Sequence, residues 1–485
     1  MRRIPVNEIV AMDAVALSRA IKSRDISCAE VMRAYLDWID RMNPRVNAIV
    51  SREPHDVLLA LARERDAQLA RGEYLGWMHG FPHAVKDLEA TAGIRTTMGS
   101  PIFKDFVPGA DSIMVARIRS AGAIIIGKTN VPEFGMGSQT YNPVFGATLN
   151  AYDHGKTAGG SSGGAAAALA LRMLPVADGS DFAGSLRNPA AFNNVFGFRT
   201  SFGRVPSDLE ELFSASFSVY GPMARTVPDL AMLLSVIAGY DARAPLSIRE
   251  DPSVFAGALD HDPRGARIGW LGDFGGYLPF DPGVMELCRA ALKVFEELGC
   301  AVDEVVPDYP LERVWESCAT LRSWAVASRL RNLYEDPAKR AMLKPEAQWE
   351  IERGLEFDAA DIAGALAVRT AWYRVINSIF ERYDFLIAPA GQVFPFDAAV
   401  HWPKHVGGRA MDTYHRWMEV MIPITMSGCP ALCAPAGFNQ AGLPMGIQIV
   451  GRNHAEMDCL RLANAYDRAT GWVSRRLPPA IASEI

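Results

Sequence analysis

The chain has 485 residues, 49% of them hydrophobic and 21% charged, with 49 basic and 55 acidic side chains and a formal net charge of −6. That is ample material for a large buried core, while the scattered lysines and arginines exclude the basic patch that nucleic-acid binding needs. No apolar run approaches the ~20 residues of a membrane span, so neither nucleic acid nor membrane is expected as a partner.

The chain opens with Met1-Arg2-Arg3, which resembles a secretory leader, but Asn7, Glu8 and Asp13 interrupt the apolar stretch such a leader requires. A cytoplasmic location is expected. Next, Ser27 and Glu30 form a capping box, in which the serine oxygen and the glutamate carboxylate reach orphan N–H groups. Val31, Tyr35, Ile39 and Met42 follow at helical spacing, and Pro44 is predicted to end that helix. Residues 1–70 are thus read as a helical arm, used for packing or for dimer formation, which allows a homodimer.

From Gly76 the pattern changes to short β-branched stretches alternating with helical ones. Ala123–Gly127, Arg267–Leu271, Phe385–Ala388 and Gly446–Val450 are apolar on both faces and read as buried strands. A helix is predicted from Asp281 to Leu298, with Pro282 in its first turn and Gly299 as its stop. Residues 311–382 read as mostly helical, a cap-like layer. The alternation argues for an α/β fold with a largely buried sheet. No Ser- or Pro-rich linker divides the chain, so one domain over 1–485 is expected. The seven cysteines read as buried thiols, not a disulfide framework or zinc set.

Two motifs mislead. Gly122 to Thr129 matches the phosphate-loop pattern, yet its middle is an Ile-rich strand and Asn130-Val131-Pro132 follows where a helix should begin. Gly159-Gly160-Ser161-Ser162-Gly163 matches the nucleophile elbow of Ser-His-Asp hydrolases. However, the polar Tyr152–Thr157 precedes it instead of a strand, and His401, His405, His415 and His454 lie in no telling context. A Gly/Ser-rich turn without chemistry is the third reading of that segment.

The combination carries more than its parts. Gly159-Gly160-Ser161-Ser162-Gly163-Gly164, then Asp181-Phe182-Ala183-Gly184-Ser185-Leu186-Arg187, lie downstream of Val85-Lys86-Asp87. Such Gly/Ser loops let backbone N–H groups gather around a reacting carbonyl, as acyl transfer by serine requires. A serine hydroxyl needs a base, and lysine can be that base only when burial lowers its pKa from ~10.4 toward neutrality. Together, with echoes at Gly428–Leu432 and Gly442–Gln448, these residues resemble the amidase signature family of serine hydrolases.

The resemblance implies an α/β/α sandwich, with a large twisted mixed sheet covered by helices and a signature core over residues 76–205. It implies Ser185 as nucleophile, Ser161 as a bridging serine after a cis peptide bond, and Lys86 as base. It assigns the oxyanion hole to backbone N–H groups of Phe182, Ala183 and Gly184, together with Ser185. Ser162, Asp181 and Arg187 would support the loops, and Asp87 would orient the base. It places substrate along Met136, Gly137 and Tyr141, with Phe182 beside them. Trp402, His401 and His405, in the loop from Gly391 to Ala410, could line an entrance, although ordinary surface positions suit both histidines better. Trp315, Trp324 and Trp372 read as core. No metal and no cofactor are expected, only a small-molecule amide substrate.

The chain departs from the family's common Asp-Thr-Gly-Gly-Ser at Phe182 and Ala183. Ala183 should avoid positive φ, and Phe182 should shape an apolar site. That apolar character favours a free-standing amide hydrolase over the glutaminase-type component of an amidotransferase. Esters and carbamates are further candidates for the same site.

Overall fold

The computed structural model describes residues 5–208, 211–213, 216–482 and 484; Met1-Arg2-Arg3 lies outside them. Fifteen strands occur among these residues. β1 (Ile49–Val50), β2 (Pro82–Lys86) and β3 (Ile124–Thr129) form a small sheet in the order β1-β3-β2, with β2 parallel and β1 antiparallel to β3. β4 (Tyr141–Asn142) and β5 (Gly146–Ala147) pair as a hairpin. The main sheet takes β6 (Val176–Asp181), β7 (Phe196–Arg199), β8 (Val219–Ala224), β9 (Arg267–Trp270), β10 (Ala301–Glu304) and β11 (Phe385–Pro389). β12 (His405–Val406) and β13 (Arg409–Ala410) form a second hairpin, and β14 (Ala431–Phe438) and β15 (Pro444–Val450) complete the main sheet.

The main sheet has eight strands in the order β10-β9-β11-β15-β14-β7-β8-β6. β10, β9 and β11 run parallel, and every other neighbouring pair is antiparallel. Helices Arg187–Asn193, Val227–Ile237, Val284–Glu297 and Glu456–Thr470 pack against it, which makes the expected α/β architecture with a mixed sheet covered by helices. The predicted strand at Ala123–Gly127 is real, but it belongs to the small sheet as β3.

Local predictions hold where capping chemistry is strong. Ser27 Oγ accepts the Glu30 N–H at 3.1 Å, and the Glu30 carboxylate accepts the Ser27 N–H at 3.0 Å. The helix there spans Cys28–Val46, however, so Pro44 does not end it. Pro44 lies in the last turn, where it removes only one ladder bond. The true stop is Asn47, in the left-handed region at φ 55°, while Asn43 Oδ1 takes the next two N–H groups, those of Ala48 (2.9 Å) and Ile49 (2.8 Å). The arm is also not purely helical, because β1 interrupts it. The helix predicted from Asp281 begins at Val284, since Gly283 at φ 90° breaks the backbone before it and leaves Pro282 outside. Gly299 at φ 88° follows the helix as expected.

The stretch 311–382 is built from helices Leu311–Glu335, Pro337–Arg340, Pro345–Glu356 and Ala359–Phe380. Trp315 and Trp372 are buried in this region, and Trp324 is partly buried. All seven cysteines are unpaired and buried. Among the described residues, no helix is long and apolar enough to cross a membrane.

Apart from Leu169, helix Gly163–Ala170 is made of small side chains, and its start packs directly against backbone. A Cβ on Gly164 would lie 2.7 Å from the Ala48 carbonyl oxygen and closer still to Asn130 N. Backbone atoms cannot step aside, so Gly164→Ala should cost about 1–3 kcal/mol in urea unfolding. Gly364→Ala has open space on an exposed helix and should be neutral or stabilising by up to about 1 kcal/mol.

Candidate active site

Two strands end at the site. Lys86 is the last residue of β2, and Asp181 is the last residue of β6; the loop 182–186 then leads into helix Arg187–Asn193. The segment 159–162 arrives from the other side and feeds helix Gly163–Ala170. Its Gly159 carbonyl accepts the Thr140 N–H (3.0 Å) and the Thr140 hydroxyl (2.8 Å), and the Gly160 N–H donates to Asn188 Oδ1 at 3.2 Å. The Gly160–Ser161 peptide bond is cis.

Lys86 is fully buried. Its Nζ lies 2.8 Å from Ser161 Oγ, 2.8 Å from Ser162 Oγ, 3.0 Å from Ser180 Oγ and 3.2 Å from the Ser180 carbonyl oxygen. Among the described residues, no carboxylate comes within ion-pair distance of this amine. Burial therefore dominates and lowers the Lys86 pKa to about 7, against the opposing fields of Glu89, Asp178 and Asp181. A neutral amine offers two N–H donors and one lone pair, so at least one neighbouring hydroxyl donates to it.

Ser185 meets this group through the backbone, its carbonyl accepting the Ser162 N–H at 3.2 Å. Its hydroxyl makes no hydrogen bond among the described residues, and the residue keeps 6% exposure. The structure thus joins Lys86, Ser161 and Ser162 by direct side-chain contact and sets Ser185 beside them with its hydroxyl free. Ser162 touches the lysine as closely as Ser161 does. Asp87 does not orient the amine: its carboxylate accepts the Thr97 N–H (3.1 Å) and the Thr97 hydroxyl (2.5 Å) instead.

Asp181 organises the loop 182–186. It is fully buried and accepts from Gly184 N (2.8 Å), Leu186 N (3.1 Å), Arg187 Nε (3.0 Å) and Nη2 (3.0 Å), and Arg199 Nη1 (3.1 Å). Burial alone would raise this carboxyl, but the Arg187 and Arg199 guanidiniums outweigh it and hold it well below the usual range. Arg187 also reaches Thr425 Oγ1 (2.8 Å) and Gln448 Oε1 (2.5 Å), tying the loop to the C-terminal third of the chain.

One expected oxyanion donor needs correcting. The Gly184 N–H is already given to Asp181, so it is not free for a substrate oxygen. The N–H groups of Phe182, Ala183 and Ser185 donate to nothing among the described residues. Ala183 avoids positive φ, whereas Gly184 takes φ 110°.

The surroundings of Phe182 are aromatic and cationic. Its ring stacks on Phe217 (centroids 5.4 Å apart, 21° between planes), and the Arg322 guanidinium sits 5.1 Å from it. Arg322 is spoken for by Glu350 Oε1 at 2.6 Å and the Tyr414 hydroxyl at 2.9 Å. The strip Met136–Gly137 faces the cap: Lys344 Nζ donates to the Met136 carbonyl at 2.7 Å. Tyr141 donates to Glu346 Oε1 at 3.3 Å and stacks with the exposed His401, centroids 4.7 Å apart. His405 is exposed, and His415 is buried against Trp315 and Tyr414, where burial holds its pKa down to about 3.

The elbow reading fails on geometry, because bends and not a strand precede Ser162, and its hydroxyl is held by Lys86. The phosphate-loop match fails likewise. Lys128 lies inside β3 with Nζ on the Glu89 carbonyl (2.6 Å) and Thr91 Oγ1 (2.7 Å).

Sequence reasoning missed Ser180, Arg199, Asp178 and His83, all packed around the lysine or the loop. A signal was there. β6 reads Val-Ala-Asp-Gly-Ser-Asp, and polar residues in a strand this apolar chain must bury need a partner.

A family model described as Amidase matches residues 30–460. The chain belongs to the amidase signature family. It is 34% identical over 479 residues to the glutamyl-tRNA(Gln) amidotransferase A-type component of Thermosynechococcus vestitus, covering 94% of this chain and 97% of that one. It is 33% identical over 471 residues to an acylamidase of Rhodococcus erythropolis, covering 96% and 97%. A solved bacterial aryl acylamidase of the amidase signature family shares the fold with a TM-score of 0.90 at 30% identity, covering 97% of this chain and 98% of that one.

Asp181→Asn would leave two buried guanidiniums facing an uncharged amide. It should lose about 3–5 kcal/mol of stability in urea unfolding at pH 7. Because the folded carboxyl lies below its unfolded value, that contribution is complete above about pH 4 and is lost only as pH falls far below it.

Proposed function

We propose that this amidase signature protein is a free-standing amide hydrolase working through a serine acyl-enzyme. The observation that carries the reading is the buried Lys86 amine, without an ion-pair partner among the described residues, in contact with Ser161 at 2.8 Å.

In the proposed cycle, neutral Lys86 takes the Ser161 proton while Ser161 takes the Ser185 proton. Ser185 Oγ then attacks the amide carbonyl carbon. The Ser161–Ser185 hydrogen bond closes with substrate in place, as catalytic contacts commonly tighten in the complex. The free N–H groups of Phe182, Ala183 and Ser185 receive the developing oxyanion; one such donor is worth about 10²–10³ in rate. The proton on Lys86 returns through Ser161 to the leaving nitrogen as the C–N bond breaks. Water, deprotonated by the same relay, releases the acid and restores Ser185. Esters and carbamates can enter the same route, since only the leaving group differs.

The stacked Phe182 and Phe217 favour an apolar or aromatic acyl or amine group. Of the nearby cations, Arg322 is ion-paired with Glu350, Lys344 holds the Met136 carbonyl, and Arg369, 4.2 Å from the Phe217 ring, holds Ser216 and the Met426 carbonyl. A glutamine substrate would need unengaged charges for its amino and carboxylate ends. The second reading, a glutaminase component, draws on the relatives named as parts of a glutamyl-tRNA(Gln) amidotransferase. It requires partner chains, whereas the hydrolase acts alone on a small-molecule amide, without cofactor or metal.

Lys86→Ala and Ser185→Ala should each lower turnover of an acyl anilide at least about 10⁴-fold. A fluorophosphonate should label the wild type but not Ser185→Ala. The purified chain should hydrolyse anilides while releasing no ammonia from glutamine; efficient glutaminase activity with inert anilides would reverse the choice. In a pH series, kcat/KM should rise through about pH 7 as Lys86 loses its proton.

A further inference from the structure

β2 and β6 belong to different sheets, and Lys86 sits where they touch. Between them lie two fully buried side chains that the proposed cycle does not use. His83 stands three residues before Lys86 on β2, and Asp178 three residues before Asp181 on β6. His83 Nε2 donates to Asp178 Oδ1 at 2.9 Å, and Asp178 Oδ2 accepts the Lys86 backbone N–H at 3.1 Å. One carboxylate therefore holds both the histidine and the peptide of the lysine. Two apolar side chains would fill the same space without any desolvation cost, so simple packing does not account for the pair.

We infer that His83 and Asp178 position Lys86: they fix the lysine's backbone against β6, so that its amine meets Ser161 and Ser162 on one side and Ser180 on the other, and the carboxylate sets the field in which that amine releases its proton. This rests on the reading of Lys86 as base.

The charges around the amine make Asp178 the distinctive one. Asp181 faces Arg187 and Arg199 at ion-pair distance. Glu89, itself buried and pushed up to about 7 by burial and by Asp178, shares its surroundings with Lys128 and Tyr220. Asp178 has only His83 and a peptide N–H, with no arginine or lysine ion pair among the described residues.

Asp178→Asn removes the charge and keeps the hydrogen bonds, while easing the ionisation of Glu89, which offsets part of the lost field. Its amide oxygen can still accept the Lys86 N–H, and its NH₂ can face His83, whose other nitrogen has no partner to lose when the ring changes tautomer. The acid limb of kcat/KM should move to lower pH by about one unit. His83→Leu, which keeps volume but not the donor, should lower kcat about 10–100-fold with KM within about twofold. His83→Gln, which restores an N–H near Nε2, should recover most of that loss. An unmoved acid limb in Asp178→Asn, or a His83→Leu that loses only thermal stability, overturns the inference. The two failures separate cleanly. If Lys86→Ala retains turnover, the reading of the base itself falls; if Lys86→Ala is inactive while Asp178→Asn keeps the wild-type acid limb, only the positioning role falls.

Discussion

The structure depends on a lysine amine buried with no counter-ion in contact among the described residues. Lys86 is surrounded by hydroxyl and carbonyl oxygens, and the nearest acids are turned to other partners. A charged ammonium in that place would give up water for neutral contacts, and the fields of Glu89, Asp178 and Asp181 offset that loss only in part, which favours the free amine. Asp181, nearby, shows the opposite solution. Two guanidiniums and two peptide N–H groups saturate it, so it stays charged and holds a loop instead of a proton. One strand end thus carries an amine whose pKa is lowered, and another an acid kept ionised.

The fold makes this arrangement by bringing two sheets together at their strand ends. β2 delivers Lys86 from the small sheet, and β6 delivers Ser180, Asp181 and the Ser185 loop from an edge of the main sheet. Small residues let the Gly159–Gly164 segment slide between them. On Gly179 a Cβ would stand 2.8 Å from Ser162 Oγ, so the strand must be bare there for the serine to reach the lysine. Arg187 then pins helix Arg187–Asn193 to β15 through Gln448, which links the signature stretch to the C-terminal echoes seen in the sequence.

Local chemistry was legible in the sequence and long-range contact was not. The Ser27–Glu30 cap, the apolar strands and the helical stretch 311–382 are each written in a few consecutive residues. The motif named Lys86, Ser161 and Ser185 as a trio, and the contact between Lys86 and Ser161 was legible that way. Its surroundings were not, because Asp178 meets Lys86 across 92 positions and Arg187 meets Gln448 across 261. No periodicity records such pairings. Helix ends slipped for a related reason: Pro44 and Pro282 carry weak local rules, and Asn43 and Gly283 overrode them with side-chain caps and a left-handed turn. The Gly184 N–H was misassigned because the reach of the Asp181 carboxylate depends on the loop's path.

The most direct measurement is a nitrogen-15 NMR titration of the lysine Nζ resonances, with Lys86 assigned by substitution. This amine should be half deprotonated near pH 7, below the buried Lys128 and Lys344 and far below ordinary surface lysines. A Lys86 resonance that stays that of an ammonium through pH 10 would contradict that expectation.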